Sequence, residues 1–175
     1  MINLFKLQSY IKRPKVKIDN LSSLNQNSSD YFIRLDDKES FLSIMDGIDR
    51  DYIEGVIHIE YNGSVLMDFT YWDIIDQLWA YLINSIEEYI KSQESEIYFP
   101  DQPIKLKMKA INKNLVLFSI ESNDGIQLTL PKQELFQSLL DSGEAFFTRL
   151  QEYFDGDLDY SNELEQINIL RSKMK

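Results

Sequence analysis

The segment IKLKMKAINKNLVLFSIESNDGIQLTL, Ile104 to Leu130, alternates with a period of two. Ile104, Leu106, Met108 and Ala110 share one side, and Lys105, Lys107 and Lys109 the other. This is the pattern of a strand with one face in a core and one in water. A turn at Asn112-Lys113-Asn114 sets Met108 opposite Phe118 and Leu106 opposite Ile120 on an antiparallel return. Asn123-Asp124-Gly125 then predicts a third strand, with Leu128 opposite Ile120 and Leu130 opposite Phe118. Three antiparallel strands sharing an apolar face require a helix or a second sheet to cover it.

Upstream, Ile53, Ile57, Ile59 and Tyr61 alternate with Glu54, His58 and Glu60, and VLMDF follows Asn62-Gly63. A two-residue Asn-Gly turn would put Ile57 opposite Asp68. Burial therefore favours a three-residue loop, Asn62 to Ser64, with Ile59 opposite Met67 and Ile57 opposite Phe69. Segments 56–79 and 117–140 overlay at an offset of about 61 residues, each a hairpin followed by a helix. The first helix is expected to start at Thr70, with Asp73 three residues on as an acidic capping box. Its stripe is Ile74, Ile75, Leu78, Trp79, Leu82, Ile86 and Ile90; Asp73, Asp76, Gln77, Asn84, Glu87, Glu88 and Lys91 take the other side. The second helix opens at Pro131 and runs to Phe154, with a bend or break expected at Ser142-Gly143. YFIRLD (31–36) and ESFLSIMD (39–46) read as short strands.

These elements make an α+β domain: a mostly antiparallel sheet of about five to seven strands built from hairpin-helix units, with two main helices on one face. At 175 residues one core suffices, since folding at this size hides roughly 70% of the chain's surface. Within a single domain 1–175, residues 1–30 read as an N-terminal segment and an Asn/Ser-rich loop, 31–155 as the core, and 156–175 as an acidic turn with a short helix or tail. The N-terminus does not read as a signal peptide. No apolar run is long enough for a membrane span, and the absence of cysteine excludes thiolate chemistry, so a cytoplasmic location is the expectation.

The net charge is −11, and residues 51–100 hold ten acidic side chains against Lys91 alone. Such a surface repels nucleic acid and complements a basic protein. The ridge of Lys105, Lys107, Lys109 and Lys113 lacks interleaved aromatics and reads as protection of a strand against aggregation. His58 is the only histidine and is expected on the outward face beside Glu54 and Glu60, with a raised pKa. Glycine-rich phosphate cradles and a nucleophile elbow are missing. DGDLDYSNE, Asp155 to Glu163, begins like a calcium loop but has Tyr160 where the turn glycine belongs and Gln166 where a bidentate Glu belongs. No catalytic residue, metal site or cofactor is assigned.

Binding through an exposed surface is the expectation that remains. Its candidate residues are Tyr71 and Trp72 as aromatic anchors, Asp73, Asp76, Gln77, Asn84, Glu87 and Glu88 on the first helix, and Asp101 and Gln102 in the proline-bracketed loop YFPDQPI, Tyr98 to Ile104. Two alternatives accompany it. One is a small metal-assisted hydrolase using Asp73, Asp76, Glu60 or His58. The other is a structural or regulatory subunit that associates through an uncovered sheet face bearing Val56 and Leu117.

IEGVIHIEYNG, WDIIDQLWAYLIN and YFPDQPI, within residues 53–104, resemble a group of small acidic bacterial proteins and, more loosely, the immunity proteins of polymorphic toxins. The resemblance implies a compact α+β inhibitor that neutralises a basic toxin or nuclease by occlusion. It carries over no binding residue.

Overall fold

A computed structural model describes residues 2 and 4–175. Its strands form two antiparallel sheets. The first sheet comprises β1 (Phe5–Lys12), β2 (Phe32–Arg34), β3 (Glu54–Tyr61) and β4 (Ser64–Met67) in the order β2-β1-β3-β4, with the short β5 (Asp73–Ile74) also on β3. The second is the meander β6 (Glu94–Tyr98), β7 (Lys105–Ala110), β8 (Leu115–Glu121) and β9 (Ile126–Pro131). The α+β class holds, but the strands expected in one sheet divide between two. Alternation reports which face a residue takes, not which strand lies beside it.

Helices α3 (Ile75–Ser92) and α4 (Lys132–Tyr153) touch both sheets, α3 against β3 and β6, and α4 against β1 and β9. They meet at Gly143, where an added Cβ would lie 3.2 Å from Ile83 and 3.3 Å from the Trp79 ring. The expected bend is thus a close approach inside one continuous helix. Trp79 is fully buried there, and its indole N–H donates to Ser9 Oγ at 3.0 Å. α5 (Ser161–Lys173) closes the core with Ile167 and Leu170.

The N-terminal segment is not an appendage. β1 lies between β2 and β3 and contributes Phe5 and Ile11 to the core. ESFLSIMD is not a strand: α2 (Lys38–Ile44) forms there because Asp37 caps it, accepting from Ser40 N at 3.1 Å. The four-residue α1 (Ser28–Tyr31) precedes β2, so only the middle of YFIRLD is strand.

Both hairpins refine the expected registers. Tyr61 pairs with Ser64 across a two-residue Asn62-Gly63 turn, with φ of 48° and 82°, the left-handed values that such a turn requires. A bulge then shifts the ladder so that Ile59 still meets Met67, which reconciles turn chemistry with burial. Phe69 leaves the ladder for a 3-10 turn. Met108 meets Phe118 and Leu106 meets Ile120 as expected. β9 is displaced by two residues, with Phe118 on Leu128 and Ile120 on Ile126, a slip that leaves every face unchanged.

Val56 was expected to face outward. It is fully buried with Leu24, Phe32 and Phe69 in a second small core, because the chain from Ile18 to Tyr31 folds over the far face of the first sheet.

Candidate functional site

The segment between β4 and α3 is organised by two aspartates. Asp68 caps the 3-10 turn Phe69–Tyr71, accepting from Thr70 N at 2.9 Å and from Asn25 Nδ2 at 2.9 Å. Thr70 is therefore not the cap, and Asp73 is no capping-box partner. Asp73 is 1% exposed in β5, facing Gly55. Its carboxylate accepts from the backbone N–H groups of Ile74 (2.7 Å), Asp101 (3.0 Å) and Gln102 (2.9 Å). The loop between its prolines is thereby latched onto the start of α3, and the Gln102 amide also donates to the carbonyl of Trp72. Burial pushes the Asp73 carboxyl above the usual range, and the three backbone donors oppose it.

Asp76 is half-buried and accepts from Tyr160 Oη at 3.0 Å. Burial raises its pKa against that hydrogen bond, and burial together with Asp76 raises the Tyr160 phenol. The first-turn aspartates were read as a solvated face, and the structure corrects that for both.

Around the latch, three acidic loops converge. Tyr52 Oη donates to Asp101 Oδ2 at 2.6 Å, which pushes the phenol up to about 12. Arg50 pairs with Asp157 and lies over the Phe154 ring at 4.9 Å. Asp49, Asp51, Asp101, Asp155, Asp157 and Asp159 are all exposed, and Arg50 is the only cation in loops 48–52, 99–103 and 155–160. In the calcium-like stretch, Asp157 turns to Arg50 and Asp159 accepts from Ser161 N at 2.9 Å, so its carboxylates do not share a centre.

On the other side of the 99–103 loop a cleft of about 640 Å³ opens between the two sheets. Tyr71, Gln102, Pro103 and Ile104 form one wall, β4 another, and the turn Ser122 to Asp124 a third.

Of the expected binding residues, Asp73, Asp76, Gln77, Asp101 and Gln102 come together at this end; Gln77 and Asp101 are exposed. Tyr71 is buried, its hydroxyl 3.2 Å from Ser122 Oγ, and cannot serve as a solvent-facing anchor. Trp72 is half-buried against the second core, its indole N–H without a hydrogen-bond partner among the described residues. Asn84, Glu87 and Glu88 lie farther along α3. There Gln166 of α5 donates to Asn84 Oδ1 at 2.9 Å and Glu87 Oε2 at 3.4 Å, so α5 engages part of the face expected to be free.

Sequence reasoning missed Arg50, Tyr52, Asp157 and Tyr160 as members of this end. The signal was present in the turn residues Asp49 to Asp51 and the run DGDLDY, but each reads alone as a solvated turn.

His58 and Glu60 do not join the aspartates. His58 is half-buried 5.4 Å from the Phe69 ring, and burial lowers its pKa against the pull of Glu60 and Asp68, the reverse of the expected rise. Glu60 pairs with Lys6. Among the described residues no three His, Cys, Asp or Glu side chains gather as a metal site. Half of the lysine ridge is neutralised, Lys105 and Lys107 each bridging Glu96 and Glu121. Among the described residues no helix is long and apolar enough to cross a membrane. No family model, curated protein or solved structure matches the chain.

Proposed function

We propose that the protein is a non-catalytic binding module that neutralises a basic partner protein, a toxin or nuclease inside the cell, by covering its cationic surface. The observation that carries this reading is the convergence of three loops into one acidic end, held by the Tyr52 to Asp101 hydrogen bond and the Arg50 to Asp157 ion pair. Carboxylates on separate loops, tied together by these two contacts with the 99–103 loop latched by Asp73, engage Lys and Arg of a partner with little ordering cost. Their summed field accelerates encounter. Exposed Gln77 and Glu88 continue the polar face along α3, Glu88 adding a further carboxylate.

The test is capture of a basic protein by tagged protein from its own host, followed by calorimetry of the purified pair at low and high salt. Affinity should fall as salt rises, and Asp51→Asn with Asp155→Asn should slow association. A partner whose binding ignores both salt and these substitutions sinks the proposal, as does finding that no basic protein binds.

A further inference from the structure

The cleft between the sheets is bordered by a strand edge with no neighbour. Among the described residues β4 is the last strand on its side, bonded to β3 alone. In a two-residue hairpin the residues flanking the turn, here Tyr61 and Ser64, exchange hydrogen bonds. The next residue, Val65, therefore turns its N–H and C=O away from β3. Val65 is 48% exposed and lines the cleft, as does Leu21 at 49%.

Across from this edge stand Ile104, Ile126 and Asp124. Among the described residues two carboxylates line the cleft and no Lys, Arg or His does. Asp68 is committed to Asn25 and Thr70, whereas exposed Asp124 has no side-chain partner among the described residues. An open edge, apolar walls and one solvated carboxylate without a protein counter-charge together define the chemistry of an occupant. It must be an extended chain that offers backbone hydrogen bonds, alternate apolar side chains and a cation.

We infer that the cleft receives an extended Lys- or Arg-bearing segment of the partner, added as a strand along Val65, with its cation at Asp124. This rests on the reading that the partner is basic. It places the second contact on the far side of the 99–103 loop from the acidic end, so that one loop serves both surfaces.

The probe is a fluorescein-labelled peptide alternating Lys and Val, set against its Glu and Val counterpart. The protein is wild type, Val65→Pro or Asp124→Lys. Proline at Val65 removes an outward N–H and no ladder bond, and a thermal melt checks that the variant folds. Asp124 is exposed, so its variant tests the charge without threatening the core.

The Lys peptide should bind and shift the amide resonances of Val65, Asp124 and Ile126, and the Glu peptide should not. Each substitution should weaken binding about fivefold or more. The inference is overturned if the peptide shifts only the acidic loops, if the Glu peptide binds equally well, or if neither substitution matters. A captured basic partner that tolerates Val65→Pro and Asp124→Lys but loses binding on Asp51→Asn with Asp155→Asn would sink this inference alone and leave the neutralisation proposal standing.

Discussion

Val56 and Ile57 are neighbours on β3, point to opposite faces, and are both fully buried. Lys107 and Met108 are neighbours on β7, and there Met108 is buried while Lys107 pairs with carboxylates at the surface. The first sheet is covered by helices on one side and by the chain from Ile18 to Tyr31 on the other. The second is covered on its inner side and faces water with its outer one. Alternation in a sequence is a record of water, so it stays legible where one face is wet and fails where both are dry.

The sharpest way to break this comparison is to place the same charge on both outer faces. Val56→Lys should cost more than about 3 kcal/mol, since it buries an unpaired cation among aromatic rings. Leu117→Lys on the second sheet should cost less than about 1 kcal/mol. Urea unfolding midpoints of the two variants check this, and equal losses would mean that the far face of the first sheet is not covered.

Next comes Asp73→Ala, which strips an acceptor from three backbone donors at once and should cost about 2 to 4 kcal/mol. Chain cleavage by a protease should then begin in the loop from Phe99 to Pro103. Unchanged stability would show that the latch does not hold that loop.

The two sheets also predict opposite responses to acid. Burial raises the Asp73 carboxyl in the folded state, so its charge opposes folding above that raised pKa. The penalty fades as pH falls toward the unfolded value of roughly 3.9. Hydrogen bonds from Lys107 lower the Glu121 carboxyl, so its contribution is present above the unfolded value of roughly 4.3 and is lost as pH falls through the folded pKa. Relative to Asp73→Asn, the wild type should therefore gain stability on acidification; relative to Glu121→Gln it should lose it. Denaturant midpoints measured from neutral pH downward give both slopes, and slopes of one sign would contradict the assignment.

The smallest effect belongs to Lys107→Ala, whose ion pairs are solvent-screened. Its melting temperature should differ little from wild type at low salt and not at all at high salt.

How much of this was legible depended on the environment of each residue. The alternation from Ile104 to Leu130 gave three of the four strands of the second sheet but not β6, which follows α3 directly, and the stripe through Ile75, Leu78, Trp79, Leu82 and Ile86 gave α3. α2 was misread because seven residues are too few to display a helical period, although Asp37 and Ser40 carried its cap. β1 was missed although Phe5, Leu7 and Ile11 alternate with Lys6, Gln8 and Lys12 and Pro14 marks a turn beyond them, because Ser9 and Tyr10 blur the alternation and its partner β3 lies more than forty residues away. The candidate site was legible as a composition, acidic with a stiff Asp-Gln loop, but not as a place. Asp73 looked like a surface helix-start residue until the backbone of Asp101 and Gln102 closed over it.

By itself the sequence determined the class of fold, the helix stripes, the three strands β7 to β9 and the acid bias, because local periodicity and charge are written residue by residue. Only the tertiary structure decided that there are two sheets, that Val56 and Asp73 are interior, and that loops about fifty residues apart make one acidic end. Those outcomes depend on which segments lie side by side, and lateral pairing leaves no period in the chain.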